Sequence, residues 1–300
     1  MFPQDIYDTP GQIVPAEREL YYALARDEYQ GLGEIVELGA LFGASAVCFG
    51  AGLRDNPRVL RKSKRIHAYD LFEIYPEILS YFPDGAVGQS FRHVFHMHTA
   101  PYRDLIDVTA CNVRNVPWDG RPIEILFIDA EKSAQGYEAI MQTLYPFLIP
   151  GLSKIVDQDF YYQGAWWLPV KNELLSEFVE PGVSADCTLV TQVLQEFPAA
   201  RLETRMEELS SDRKLALMTS QAERIGGEYG ALVDIQRAHV LFMDGRRDAA
   251  IALIDAVMAQ FDTAVVRFRI NEIRAAFGLP SVKWKTPPAP GATRSPAASR

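Results

Sequence analysis

The sequence predicts an α/β fold: a parallel sheet with helices on both faces, followed by an all-helical C-terminal domain. Short apolar runs of the kind buried in parallel sheets recur through the first two-thirds of the chain, and several end in an acidic residue. Segments with apolar residues at helical spacing separate them. Past Pro198 the strand-like runs stop and helical stripes take over. Three hundred residues accommodate one large domain and an appendage.

The first strand and its turn lie in residues 34–45. Ile35, Val36 and Leu38 form the apolar run, and Glu37 interrupts it where a buried strand does not normally carry a carboxylate. Gly39 and Gly43 bracket a tight turn, and Ser45 opens an apolar helix reaching about Leu53. Strand, glycine turn and helix start together build a nucleotide-type pocket, because glycines let a ligand approach the N–H groups of a helix N-terminus. The spacing is Gly39-x-x-x-Gly43, not Gly-x-Gly-x-x-Gly, and no Gly-Lys-Ser/Thr follows. A dinucleotide fingerprint and a P-loop are therefore both disfavoured.

The remaining strands follow in order. Residues 65–70 end at Asp70, 106–111 lead to Asn112, and 123–129 end at Asp129. A helix with Tyr137, Ile140, Met141, Leu144 and Leu148 on one face follows, stopped by Pro150-Gly151. Residues 153–159 form a fifth strand ending in Asp157-Gln158-Asp159, and 186–197 a last one. Acids at successive strand ends mark the carboxyl edge of the sheet, where α/β folds bind ligands. Asp129 and Asp159 read either as helix caps or as site acids.

Glu37-x-Gly39-x-x-x-Gly43-x-Ser45, with the acids at 70 and 129, resembles the class I S-adenosylmethionine-dependent methyltransferases. Within them, the run from 125 to 160 is similar to the small-molecule and sugar O-methyltransferase branch. The resemblance covers roughly residues 10–197 and implies a Rossmann-like methyltransferase sheet. It implies S-adenosylmethionine as cofactor, held by Glu37, Gly39, Gly43, Ser45, Asp70 and Asn112, with Asp70 on the ribose and Asn112 bordering the adenine. The implied reaction is methyl transfer to an oxygen of a small-molecule acceptor, a sugar hydroxyl being one candidate. Asp129 and Asp159 are the candidate general bases, with His98 behind them. Metal-ligand positions of metal-dependent relatives fall on Asp129, Asp157 and Gln158. A glutamine is a poor hard-cation ligand, so no metal is expected. The usual Pro-Gly-Gly before the fifth strand is Pro150-Gly151-Leu152 here. Two rival readings are a non-catalytic cofactor-binding or scaffold protein on the same fold, and an NAD-dependent oxidoreductase, which the glycine spacing disfavours.

Composition sets limits. A net charge of −9 argues against nucleic acid or an anionic membrane as the main partner. Cys48, Cys111 and Cys187 are widely spaced in apolar segments and read as buried thiols of a reducing compartment. The N-terminus lacks a signal-peptide pattern, and the longest uncharged stretch, 38–53, is too short to span a bilayer; the chain reads as cytoplasmic.

Residues 16–29 read as a helix leading into the first strand. Residues 71–105 exceed a simple crossover and hold Tyr75, Tyr81 and Phe82, then a helix at 91–98; this aromatic insertion suits a lid or substrate wall. The aromatic run at 160–167 is expected at the same sheet edge, as packing or as a substrate platform. His93, His96 and His98 do not share one helical face, which disfavours a metal cluster. Glu131-Lys132 reads as a solvated pair.

The division expected is a catalytic domain at 1–198, a helical domain at 199–285 and a disordered tail at 286–300. Apolar stripes fall at 232–242, 250–261 and 266–277, and 237–261 resembles a tetratricopeptide hairpin without a second copy. The helices are expected to pack on the main domain or join two subunits as a homo-oligomer, serving stability or assembly.

Overall fold

The computed structural model describes residues 2–282; the tail expected at 286–300 lies outside them. Two N-terminal helices, α1 (Asp5–Asp8) and α2 (Pro15–Ala23), lead to β1 (Glu34–Leu38) and α3 (Ala44–Asp55). Next come β2 (Ile66–Asp70), α4 (Arg92–His98), β3 (Ile106–Ala110), β4 (Ile123–Ile128) and α5 (Ala134–Leu144). The sheet is completed by β5 (Lys154–Asp157), α6 (Trp167–Leu174), β6 (Val179–Ala185) and β7 (Thr188–Val193). The chain continues through α7 (Ala199–Leu202), α8 (Ser211–Ile225), α9 (Gly227–Met243), α10 (Arg247–Gln260) and α11 (Ala264–Ala276).

The strand order is β3-β2-β1-β4-β5-β7-β6. β1 to β5 run parallel, while β7 is antiparallel to both β5 and β6. Order reverses between β1 and β4, so their carboxyl ends form the crevice at a topological switch point. Side chains alternate between two cores. Ile35, Ile125, Phe127 and Val156 face α2, α3 and the insertion; Val36, Leu38, Leu126, Ile128 and Ile155 face α5 and α6.

The second core continues without interruption into the C-terminal helices, through Met218, Leu232, Ile254, Ile270 and Phe277. Helices and sheet therefore share one apolar interior. No helix among the described residues is long and apolar enough to cross a membrane, and the three cysteines are free thiols.

Three elements depart from expectation. The last strand is half of a hairpin, because β6 escapes a periodicity reading: it contains Pro181 and Gly182 beside a register shift and lies largely exposed. The helix expected at 16–29 ends at Ala23 and passes into a wider π turn, Leu24–Glu28. α8 was not foreseen, since polar residues dominate it and only Leu217, Met218, Gln221 and Ala222 are buried.

Asp157 closes β5 but faces inward. Its Oδ2 lies 2.8 Å from Lys171 Nζ of α6, and both side chains are buried. Tyr137 donates its hydroxyl to Asp157 Oδ1, and Lys171 Nζ lies 3.3 Å from the Tyr137 oxygen and 3.5 Å from that of Tyr145. Burial pushes the Lys171 pKa down, against the pull of the Asp157 carboxylate. Removing one partner leaves the other charge stranded in the interior. Lys171→Ala should therefore lower the unfolding free energy by about 3–5 kcal/mol in a urea titration. An unchanged midpoint would show that the pair does not anchor α6 to the sheet.

Candidate active site

The turn after β1 is shaped by its neighbours. Gly39 has φ +91°, and a Cβ there would lie 2.8 Å from the Asp129 carbonyl carbon. Gly43 has φ +95°, and a Cβ there would meet Thr99 at 2.8 Å. The protein's own packing thus demands both glycines, independently of any ligand. Gly39 N–H donates to Tyr69 O and Asp129 N–H to Leu38 O, each at 2.8 Å, which locks the tips of β2, β1 and β4 together.

Three acids surround this turn. Glu37 is fully buried on the α3 side of the sheet and accepts a hydrogen bond from Ser45 Oγ through Oε1; its Oε2 has no partner among the described residues. Burial, with the nearby charges of Asp70 and Asp129, pushes its pKa up to about 8. Asp70, at the tip of β2, accepts from Leu41 N at 2.9 Å and Phe72 N at 2.6 Å, folding the loop onto the strand end. Burial raises its pKa too, against those backbone hydrogen bonds.

Asp129 follows β4 and keeps 27% of its side chain exposed. Burial in the crevice pushes its pKa up to about 7; Lys132 pulls it down and Asp159 pushes it further up. Lys132 Nζ lies 3.4 Å from Asp129 Oδ1 and pairs with Asp159 Oδ2, so one ammonium bridges both candidate bases. The two carboxylates hold that ammonium firmly protonated. A cavity of about 460 Å³ opens beside them, lined by Lys132, Asp159, Tyr162, Gly164, Ala165 and Trp167.

Glu37, Gly39, Gly43, Ser45, Asp70 and Asp129 thus cluster at the turn after β1, and Lys132 joins Asp159 to them. Asn112 is exposed and caps the turn that follows β3, its Oδ1 accepting from Arg114 N at 2.9 Å. His98 Nδ1 lies 2.8 Å from the Phe42 carbonyl oxygen, so it pins the glycine turn rather than joining the two aspartates. The side chain that caps α5 is Ser133, not Asp129.

Glu131-Lys132 is not a solvated pair. Glu131 is buried and grips the Arg114 guanidinium at 2.7 and 2.9 Å, while Lys132 turns to the aspartates. The three-residue spacing from Asp129 and the acid at the next strand end were the available signals for Lys132. Two of the three metal positions suggested by the resemblance are committed elsewhere: Asp157 to Lys171, and Gln158 to Glu17, Tyr21 and Thr188. Among the described residues no group of three or more His, Cys, Asp or Glu side chains is placed to hold a metal.

Residues 36–157, from inside β1 to the end of β5, match the family model of a methyltransferase domain. This stretch is similar to a methyltransferase domain. The match spans the glycine turn and the tips of β2, β4 and β5, and stops before the aromatic segment and the C-terminal helices. Among curated proteins none matches. Among solved structures, CalS11, described as a TDP-rhamnose 3'-O-methyltransferase of calicheamicin biosynthesis, is similar at 16% identity and TM-score 0.42, over 59% of this chain and 77% of that one. A protein described as a putative rRNA-methylase from Clostridium thermocellum is similar at 9% identity and TM-score 0.41, over 62% of this chain and 100% of that one. Likenesses of this strength do not bear on substrate.

The buried Glu37 has a measurable consequence for stability. The folded state holds its proton up to about pH 8, whereas an unfolded chain releases it near the ordinary 4.5. The fold therefore binds the extra proton across that window, and stability falls as pH rises through it. Glu37→Gln mimics the protonated acid and escapes this loss. From pH 5 to 9 the stability of Glu37→Gln relative to wild type should improve by roughly 2–4 kcal/mol in urea titrations. A difference independent of pH would mean that Glu37 is ionised in the fold.

Proposed function

We propose that the domain uses S-adenosylmethionine to methylate an oxygen of a small, hydroxyl-bearing acceptor, a sugar hydroxyl being the candidate. The observation that carries this is the set of carboxyl groups around the glycine turn, Glu37, Asp70 and Asp129, in which Glu37 feels the charges of the other two. The glycine spacing leaves no place for a pyrophosphate, whereas the charges of Asp70 and Asp129 suit a ligand with an ammonium and a sulfonium. Glu37, Gly39, Gly43, Ser45 and Asp70 would hold it, and when bound it supplies a methyl group already activated by its positive sulfur.

The chain's own task is then to place the acceptor and move a proton. The cavity beside Asp159 is the acceptor's place. Its wall includes Trp167, whose indole N–H is buried without an acceptor among the described residues. A hydroxyl-rich molecule can satisfy that donor. Asp129, with its pKa near 7, is poised to take the hydroxyl proton at neutral pH. Lys132 keeps Asp129 and Asp159 oriented.

The test follows transfer of labelled methyl from S-adenosylmethionine to a panel of sugars, nucleotide sugars and phenols. Transfer should rise with pH through about 7, as the base ionises. Asp129→Asn should cut the rate by about 10²–10⁴-fold with cofactor affinity retained. A variant with wild-type turnover would remove Asp129 from the proton path. Transfer that is lost in EDTA and restored by magnesium would turn Asp129 and Asp159 into metal ligands.

A further inference from the structure

The opposite edge of the sheet carries a second concavity, of about 670 Å³, lined by Arg61, Lys62, Lys64, Arg65 and Arg121 with one carboxylate, Glu34. Glu34 begins β1, Arg65 immediately precedes β2, and Arg121 lies two residues before β4. Gly39, Asp70 and Asp129 stand at the other ends of these strands. At about 3.3 Å per residue, strands of this length separate the two edges by roughly 15–20 Å.

The positive charge here is largely uncompensated. Glu34 Oε1 is shared between Arg65 Nη1 at 2.9 Å and Arg121 Nη1 at 3.2 Å, while its Oε2 lies 3.2 Å from His67 Nε2. Arg121 has a second partner in Asp119, at 2.8 Å. Lys62 donates to the Arg54 carbonyl at 2.6 Å, and Lys64 to those of Arg103 and Ile106 at 2.8 and 2.5 Å. Carbonyls satisfy hydrogen bonds without cancelling charge. Arg61 has no carboxylate partner among the described residues. Of these five cations only Arg65 and Arg121 pair with a carboxylate among the described residues, on a chain whose net charge is −9.

The shape narrows the ligand. An open concavity of this size admits a small molecule, and guanidinium forks beside ammonium groups suit phosphate oxygens. A membrane or nucleic-acid surface needs a broad basic face on a chain without a large negative charge. We propose that this groove binds a small ligand carrying two or more linked phosphate groups, at a site separate from the methyl-transfer crevice.

Calorimetry with inorganic pyrophosphate on the full chain tests it. One-to-one binding with Kd below about 1 mM is expected at low salt, weakening as salt rises, with orthophosphate at least tenfold weaker. The double variant Arg61→Ala/Lys62→Ala should lose at least tenfold in affinity while its melting temperature stays within a few degrees of wild type. Asp129→Asn, at the other edge, should bind pyrophosphate like wild type. The proposal fails if wild type shows no saturable binding at millimolar pyrophosphate, if the double variant binds normally, or if Asp129→Asn loses binding. It fails also if phosphatidylglycerol vesicles capture the protein while pyrophosphate does not.

Discussion

The approach of β1 to β4 at Gly39 is the constraint on which the rest of the site depends. A Cβ there would collide with the backbone just after β4, so the left-handed glycine lets the two strand tips close. That closure brings Glu37, Asp70 and Asp129 around one turn at the switch point of the sheet. In so dry a setting, carboxyl groups raise one another's pKa or pair with a cation. Lys132 is the protein's own cation at one side of the cluster; the side toward the turn is where the proposed cofactor would sit.

The turn and the cavity are each braced from outside the sheet. Phe42, within the turn, packs edge-on against Tyr81, Phe82 and Phe91 of the insertion, while His98 holds its carbonyl. Beside the cavity, Gln236 of α9 donates its amide to the carbonyls of Phe160 and Tyr162 at 2.7 and 2.9 Å. His239 Nδ1 lies 2.8 Å from the Gln163 carbonyl oxygen, and Tyr229 packs on Tyr161 with ring centroids 5.0 Å apart. The C-terminal helices therefore grip the segment that walls the cavity. This gives them a part in shaping that cavity.

Much of this was legible in the sequence because β1, β2, β4 and β5 are buried on both faces, which favours apolar runs whose polar ends stand out. Gly39, Gly43, Asp70, Asp129 and Asp159 were readable as punctuation of those runs. Direction was not. Asp157 looks like another site acid, yet it points inward to Lys171, a partner fourteen residues on that no local pattern reveals. His98 and Asn112 lie near the expected places but spend their polar atoms on backbone groups. Lys132 and Glu131 are adjacent in sequence and turn to opposite tasks, a choice set by Arg114 and Asp159 across the fold. β6 was hidden because an exposed edge strand tolerates proline and glycine.

The central claim is that a turn ringed by acids selects a sulfonium cofactor over a dinucleotide. Calorimetric titration of the intact chain with S-adenosylmethionine, with its demethylated product and with NAD tests this most directly. One-to-one binding of the first two and none of NAD is the expected result. Binding of NAD, or no binding of either sulfur ligand by folded protein at millimolar concentration, would contradict it.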